Sequence, residues 1–339
     1  MSGSKCYLLS VLIIGSISLA GCGSNSGTGS NSGTESSTGP CNASIPGTIS
    51  YAALGSDGYS HIYTNTNCVA KQLTSGANTD DSPSWNSTGT TLAFGRNHEV
   101  WTVNSDGSAL TQVTSGNYDL LPAWCGANLV FARNVGPVIA PYSFPQFNIM
   151  QISPTGTNLN TLVWGTSSSW FLMEPRCNLD GSTLYFMCGP WAATSTPGVQ
   201  GCSTPATGGT MTQLTFGTSF NTVGDLQPSL STDWVFFSAK DLSGNINLWK
   251  MKADGSSPTQ LTFYTEPAEA GTGGDNPANT TVVYQYDVGG EAQSLPSCGP
   301  YNPPPCVTSY IGVVNPDGSG NQITSIQVWD TGAQPRFQP

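Results

Sequence analysis

The stretch that decides the fold runs from residue 80 to residue 116. It opens with Asp80-Asp81-Ser82-Pro83-Ser84-Trp85-Asn86-Ser87-Thr88-Gly89-Thr90-Thr91-Leu92-Ala93-Phe94. It continues through His98-Glu99-Val100-Trp101-Thr102-Val103-Asn104-Ser105-Asp106-Gly107 and closes on Leu110-Thr111-Gln112-Val113-Thr114-Ser115-Gly116. The pattern predicts four short strands. Pro83 to Trp85 is a brief first strand, and the turn at Gly89 leads into the apolar pair Leu92 and Phe94. A third strand carries Val100, Trp101 and Val103. Asp106-Gly107 marks a tight hairpin, because glycine reaches the positive φ that such turns demand. The fourth strand ends at Val113-Thr114. Four antiparallel strands alone leave two open edges and two partly apolar faces, so this unit needs neighbours.

The neighbours are in the same chain. The unit recurs at a period of roughly 40–60 residues, in the range that marks propellers and other arrays. The fourth-strand ending returns as Gln72-Leu73-Thr74, Gln213-Leu214-Thr215, Gln260-Leu261-Thr262 and Gln322-Ile323-Thr324. Third strands end in Ser153-Pro154-Thr155-Gly156, Lys252-Ala253-Asp254-Gly255 and Asn315-Pro316-Asp317-Gly318. First-strand prolines return as Pro122, Pro175 and Pro228. Second strands return as Leu129-Val130-Phe131, Leu184-Tyr185-Phe186, Val235-Phe236-Phe237 and Val282-Val283-Tyr284.

Pro-x-Trp, a glycine turn, Leu-Ala-Phe, Val-Trp-x-Val-Asn-x-Asp-Gly and Gln-Leu-Thr together resemble the TolB-type, WD-like β-propeller repeat. The resemblance covers residues 44–339. It implies an all-β fold: a six-bladed β-propeller of four-stranded antiparallel blades. The first blade, around Ile49–Tyr51, His61–Tyr63 and Gln72–Thr74, has no Pro-x-Trp strand before it. Gln334-Pro335-Arg336-Phe337-Gln338-Pro339 reads as that missing strand. The ring is therefore expected to close when the C-terminal strand joins the first blade, which removes two sheet edges. The other blades are expected at 80–116, 119–164, 173–216, 225–263 and 267–325.

Residues 1–21 read as a signal peptide, with Lys5 before an apolar core, Tyr7–Leu19, shorter than the about 20 residues of a spanning helix. Leu19-Ala20-Gly21-Cys22 resembles the bacterial lipobox, which implies that Cys22 carries the lipid and holds the protein on a membrane. Gly23 after it implies, by the enterobacterial rule, the outer membrane of the bacterial cell envelope. Residues 22–43 are then the anchored cysteine and a flexible Gly/Ser/Thr linker, and 44–339 the propeller.

Ten cysteines include Cys6 in the leader and Cys22 at the lipid site. The rest suit disulfides in an oxidising compartment. Cys298 and Cys306 flank a Pro-rich loop, and Cys188 and Cys202 flank the Gly189–Val199 loop. Cys125 and Cys177 follow the first strands of adjacent blades, and Cys41 and Cys68 are left for each other. No close Cys/His pairing marks a metal site. The formal charge of −11 lacks the basic footprint of a nucleic-acid binder, and none is expected as a partner.

Little in the sequence speaks for catalysis. Only His61 and His98 offer imidazoles, and both read as polar residues at strand edges. There is no G-x-S-x-G elbow, H-E-x-x-H pair or phosphate-cradling glycine loop. Resemblance to the propellers of prolyl-oligopeptidase-type peptidases implies a hydrolase domain, and the sequence ends where one would begin. Resemblance to oligogalacturonate lyases implies a histidine-rich metal site, for which two histidines are few. The Asp-Gly pairs at Asp106, Asp180, Asp254 and Asp317 read as hairpin turns rather than calcium loops. Asp80-Asp81, Asp119 and Asp225 precede first strands, on one rim of the central channel. They are expected to cap strand ends in solvent, with a channel-bound cation as the other reading; no other cofactor is expected.

Binding is the expected activity. The loops Gly136–Gln146, Gly189–Val199 and Gly289–Pro305 each join the second and third strands of a blade and so share one side of the disc. Trp170 and Trp191 fall outside the repeat. With Tyr142, Phe144 and Tyr301 they are the candidate contact residues, since exposed aromatics anchor interfaces. The partner expected is another envelope or extracellular protein, or a glycan. The TolB resemblance implies a periplasmic scaffold, although nothing here reads as TolB's separate α/β domain. An enzyme working at the channel and a subunit of an extracellular assembly are the alternatives.

Overall fold

The computed structural model describes residues 43–137, 145–166, 171–189, 198–288, 309–328 and 332–339. Among them the chain forms strands and no helix. The opening run is β1 (Thr48–Leu54), β2 (Ser60–Thr66) and β3 (Val69–Gln72). The second blade is β4 (Asp80–Trp85), β5 (Thr91–Arg96), β6 (Glu99–Asn104) and β7 (Thr111–Gln112). The third is β8 (Asp119–Cys125), β9 (Asn128–Asn134), β10 (Phe147–Ile152) and β11 (Asn160–Val163). The fourth is β12 (Phe171–Cys177), β13 (Thr183–Gly189), β14 (Gln200–Pro205) and β15 (Thr212–Gln213). The fifth is β16 (Phe220–Pro228), β17 (Trp234–Asp241), β18 (Ile246–Lys252) and β19 (Thr259–Gln260). The sixth is β20 (Glu269–Asp275), β21 (Val282–Asp287), β22 (Ser309–Val314) and β23 (Gln322–Val328). Finally β24 (Arg336–Phe337) pairs with β1 and completes the first blade.

Six four-stranded antiparallel sheets result. The inner strands β24, β4, β8, β12, β16 and β20 touch one another in cyclic order, so the ring is closed. The expected C-terminal closure is observed: Ile49 lies opposite Phe337, Ser50 opposite Arg336, and the Gln338 amide donates to the Thr48 carbonyl at 2.9 Å.

Blades pack face to face, so a middle strand is covered on both sides. Leu92, Ala93 and Phe94 are all fully buried, which explains an apolar run where a half-exposed strand would alternate. Phe131, Phe186, Phe236, Phe237 and Tyr284 fill the same layer in other blades. Each such side chain contributes about 1.5–3 kcal/mol on burial.

The Gln-x-Thr ending also has a physical cause. Thr74, Thr114, Thr215 and Thr262 accept, through their hydroxyls, the amides of Ile62, Val100, Gly201 and Leu248 at 2.8–3.0 Å. The preceding glutamines donate Nε2 to the carbonyls of those same threonines at 2.7–3.0 Å. Side chains thus continue a ladder that the two-residue outer strands cannot. The third-strand turn locks each of blades two to six to the one before it. Gly107, Gly156, Gly208, Gly255 and Gly318 all have positive φ, and each lies against the backbone of Leu73, Val113, Leu162, Leu214 or Leu261 of the preceding blade.

Antiparallel order defines two edges of the disc. On one, strand two meets strand three and strand four hands over to the next blade; we call it the loop edge. On the other lie the turns between strands one and two and between strands three and four, the turn edge.

Candidate functional site

Every first strand preceding a Pro-x-aromatic or equivalent segment breaks register with its neighbour. The breaks fall between Asp81 and Ser84, Leu120 and Ala123, Met173 and Arg176, and Gly224 and Gln227. At each break one residue takes a positive φ, namely Ser82, Leu121, Glu174 and Asp225, with Gln334 equivalent before β24. Such bulges bend a strand and re-aim its groups, here around the channel.

The aspartates do not cap a solvated rim, as the sequence reading expected. Asp80, Asp119 and Asp225 have no exposed surface. Asp80 and Asp119 are the first residues of β4 and β8, directly opposite Arg96 and Arg133 of the second strands. Each pair forms a two-bond fork, at 2.6 and 2.8 Å for Asp80 and 2.7 and 2.8 Å for Asp119. Asp225 lies inside β16 rather than before it, at the bulge. Burial drives the pairing, since an isolated buried carboxylate is costly.

His61 is the second residue of β2, a polar residue near a strand end as expected, and it is buried. Its Nε2 lies 2.9 Å from Asp57 Oδ2, and its Nδ1 lies 3.8 Å from Asp80 Oδ2. Desolvation pulls the imidazole's pKa down, but the bonds and charges of Asp80 and Asp57 outweigh it and leave the pKa raised. His98 sits in an exposed turn with its ring stacked on Tyr118, centroids 4.0 Å apart.

The richest polar cluster sits where blades four, five and one meet at the channel. Arg176 donates Nη2 to Gln334 Oε1 at 2.5 Å and Nη1 to the Leu121 carbonyl at 3.3 Å. Its Nε stands 3.7 Å from Asp225 Oδ1. Arg336 donates Nη2 to Asp225 Oδ2. The Asp225 amide donates to Glu174 Oε2 at 2.6 Å. Burial, reinforced by the charge of Asp225, pushes the Glu174 carboxyl up to about 8, so it is largely protonated near neutral pH. Above this cluster, on the turn edge, a small depression of about 60 Å³ is lined by Trp85, Trp124, Arg176, Gln227, Arg336 and Phe337 among others.

Of the residues expected from sequence, Cys125–Cys177 and Cys188–Cys202 are bonded as proposed, with Cα atoms 5.1 and 5.9 Å apart. Cys68 is disulfide-bonded too; Cys41, the partner expected for it, lies outside the described residues. So do Cys298 and Cys306, the lipid site Cys22, the leader, the linker up to residue 42 (its last residue, Ala43, is buried in the core), and the contact candidates Trp170, Trp191, Tyr142, Phe144 and Tyr301. No group of three or more potential metal ligands occurs among the described residues. The Asp-Gly pairs form turns, with Asp106, Asp180, Asp254 and Asp317 each accepting the amide of the serine two residues on.

One surface feature escaped the sequence reading. The residue after Gln-x-Thr is an exposed serine in the first, second and sixth blades, Ser75, Ser115 and Ser325. In the fourth and fifth it is Phe216 and Phe263, and the third blade carries Trp164 in the same place. These aromatics are 54%, 73% and 68% exposed. Aligning the residue after each buried Leu-Thr would have revealed the split.

No protein-family model matches the sequence, and no curated protein matches it. Solved structures do. The chain is similar to a putative TolB from Agrobacterium tumefaciens, with a TM-score of 0.59 and 14% identity over 88% of this chain and 100% of that one. It is similar to TolB from Acinetobacter baumannii, with a TM-score of 0.62 and 14% identity over 86% of this chain and 67% of the other. The fold is a TolB-like β-propeller. A puromycin-hydrolyzing peptidase from Mycobacterium tuberculosis also shares it, with a TM-score of 0.52 and 12% identity over 84% of this chain and 48% of the peptidase. The TolB-like propeller therefore does not by itself separate binding from catalysis. Its disulfides suit an oxidising, extracytoplasmic compartment.

Proposed function

We propose that this TolB-like propeller is a non-catalytic scaffold of the bacterial cell envelope that docks another envelope or extracellular protein on its loop edge. The supporting observation is the arc of Trp164, Phe216 and Phe263 on three successive blades. Three large exposed aromatics stand where the repeat otherwise places serine, and water favours serine at such a site. Aromatic anchors of this kind dominate interface energies, at about 2 kcal/mol or more each when fully covered. The second strands of the third and fourth blades end on this edge, at Asn134 and Gly189, and their third strands begin there, at Phe147 and Gln200. In this reading the lipid on Cys22 and the linker hold the disc near a membrane while the edge stays accessible.

The test replaces Trp164, Phe216 and Phe263 together by serine, the residue of the other blades. Wild-type and variant proteins are cross-linked in their own envelope and captured. A defined protein partner lost by about tenfold or more in the variant, with an unchanged unfolding midpoint, is the expected result. A partner retained in full by the triple variant would overturn the assignment of this edge. Turnover of peptide or polysaccharide by the purified wild-type protein would overturn the non-catalytic reading.

A further inference from the structure

All four arginines of the chain engage aspartate, but not in equal measure. Arg96 and Arg133 each have a carboxylate to themselves. Arg176 and Arg336 share Asp225. Both are nearly sealed, at 2% and 5% exposure, and both leave Nε without a hydrogen-bond partner. A guanidinium carries five N–H donors and cannot shed its charge. The nearby Glu174 does not supply the second negative charge, because its buried carboxyl keeps its proton near neutral pH. A local excess of positive charge therefore faces the depression, in a chain whose formal charge is −11.

The walls add to the pattern. Trp85 and Trp124 line the depression, and their indole nitrogens are buried without acceptors. The two guanidinium Nε–H donors beside the hollow thus lack partners, whereas buried indole nitrogens without acceptors occur also in Trp101 and Trp249, outside it. Two acceptors there are also buried and unpartnered, Gln227 Oε1 and Asp225 Oδ1, the latter 3.7 Å from Arg176 Nε. Leu179, Leu230 and Phe337 add apolar surface to the lining, and Ser84, Ser87 and Asn178 add polar surface. A cationic floor beside a rim of mixed apolar and polar side chains suits a ligand with an anionic acceptor group and an apolar neighbour. Arginine suits carboxylate because its planar fork matches the two oxygens.

We propose that this depression is a carboxylate-binding site for a peptide, taking a chain terminus or acidic side chain that has an apolar residue beside it. Arg176 and Arg336 take the carboxylate oxygens, and Trp85 and Trp124 pack against the apolar neighbour. Gln227 Oε1 accepts an amide N–H of the same segment. The site lies on the turn edge, away from the aromatic arc, and stands whether or not the loop edge docks a partner.

The test uses the whole folded protein and small probes. N-acetyl-L-phenylalanine supplies the carboxylate and the apolar group, and N-acetyl-L-phenylalaninamide is its neutral twin. Calorimetric titration should show saturable binding of the acid, with tryptophan fluorescence changing in parallel, and about tenfold or weaker binding of the amide. Arg176→Gln should weaken the acid to the level of the amide. Because that change can disturb folding, the acid–amide comparison in the wild-type protein carries the test by itself. Equal affinity for acid and amide, or no saturable binding of either, would overturn the proposal. Preference for D-glucuronate over N-acetyl-L-phenylalanine would make the site one for acidic glycan and overturn the peptide assignment.

Discussion

Asp80 receives two bonds from Arg96 and one from Thr74 at 2.5 Å, and His61 stands at its side, all sealed from solvent. Removing the cation leaves a buried carboxylate with only the Thr74 hydroxyl and a distant imidazole, so Arg96→Met should cost about 3–5 kcal/mol. A urea midpoint displaced by much less would mean that His61 or water replaces the guanidinium. Glu174 makes a different prediction. Its pKa is about 8 when folded against an ordinary 4.5, so between those values the folded protein holds a proton that the unfolded chain has lost. Its contribution is complete below the unfolded value and disappears as pH rises through the folded one. Stability should therefore fall from about pH 5 to about pH 8, and Glu174→Gln should flatten that decline relative to wild type. Parallel pH profiles for the two proteins would show that the proton resides elsewhere. Neither site was legible from residue types alone. Asp80 looked like a rim residue because its partner lies 16 positions away. Cross-strand register, Asp80 opposite Arg96 and Asp119 opposite Arg133, is the signal that would have joined them.

At the scale of strands and turns, the repeat motifs were readable because each has a local cause. Threonine is required where its hydroxyl caps a middle-strand amide, and Asp-Gly is required where a tight turn meets the preceding blade. Gly255 has φ +85°, and a Cβ there would lie 2.6 Å from the Leu214 carbonyl oxygen. Gly116 has φ +71° but open space around it. Gly116→Ala should cost about 1–2 kcal/mol, the backbone penalty alone. Gly255→Ala should cost distinctly more, because the blade interface must also give way. Equal losses in chemical denaturation would show that the interface relaxes freely. The bulges were not readable. Ser82, Leu121, Glu174, Asp225 and Gln334 share a left-handed conformation but no side-chain chemistry, so composition does not announce it. The exposed aromatics were missed for the opposite reason. Their chemistry was plain, but Trp164, Phe216 and Phe263 become a set only when the blades are superposed.

For the molecule as a whole, blade number and ring closure followed from one asymmetry: a first blade short of an inner strand, and a Pro-x-aromatic segment at 335–337 with nothing to join. Deleting residues 335–339 should remove the inner strand of the first blade, the buried Phe337 and the Arg336 partner of Asp225. The expected loss is on the order of 5 kcal/mol, read as a lower urea midpoint with new protease cuts near β1. A truncated protein with the wild-type midpoint would mean that five blades and a partial sixth suffice. The same closure has a consequence for how the protein is made. Synthesis delivers β1 early and β24 after every other strand, so the ring has no seal until residue 337 has been added. Until then the first blade lacks its inner strand, and β1 presents an unpaired edge.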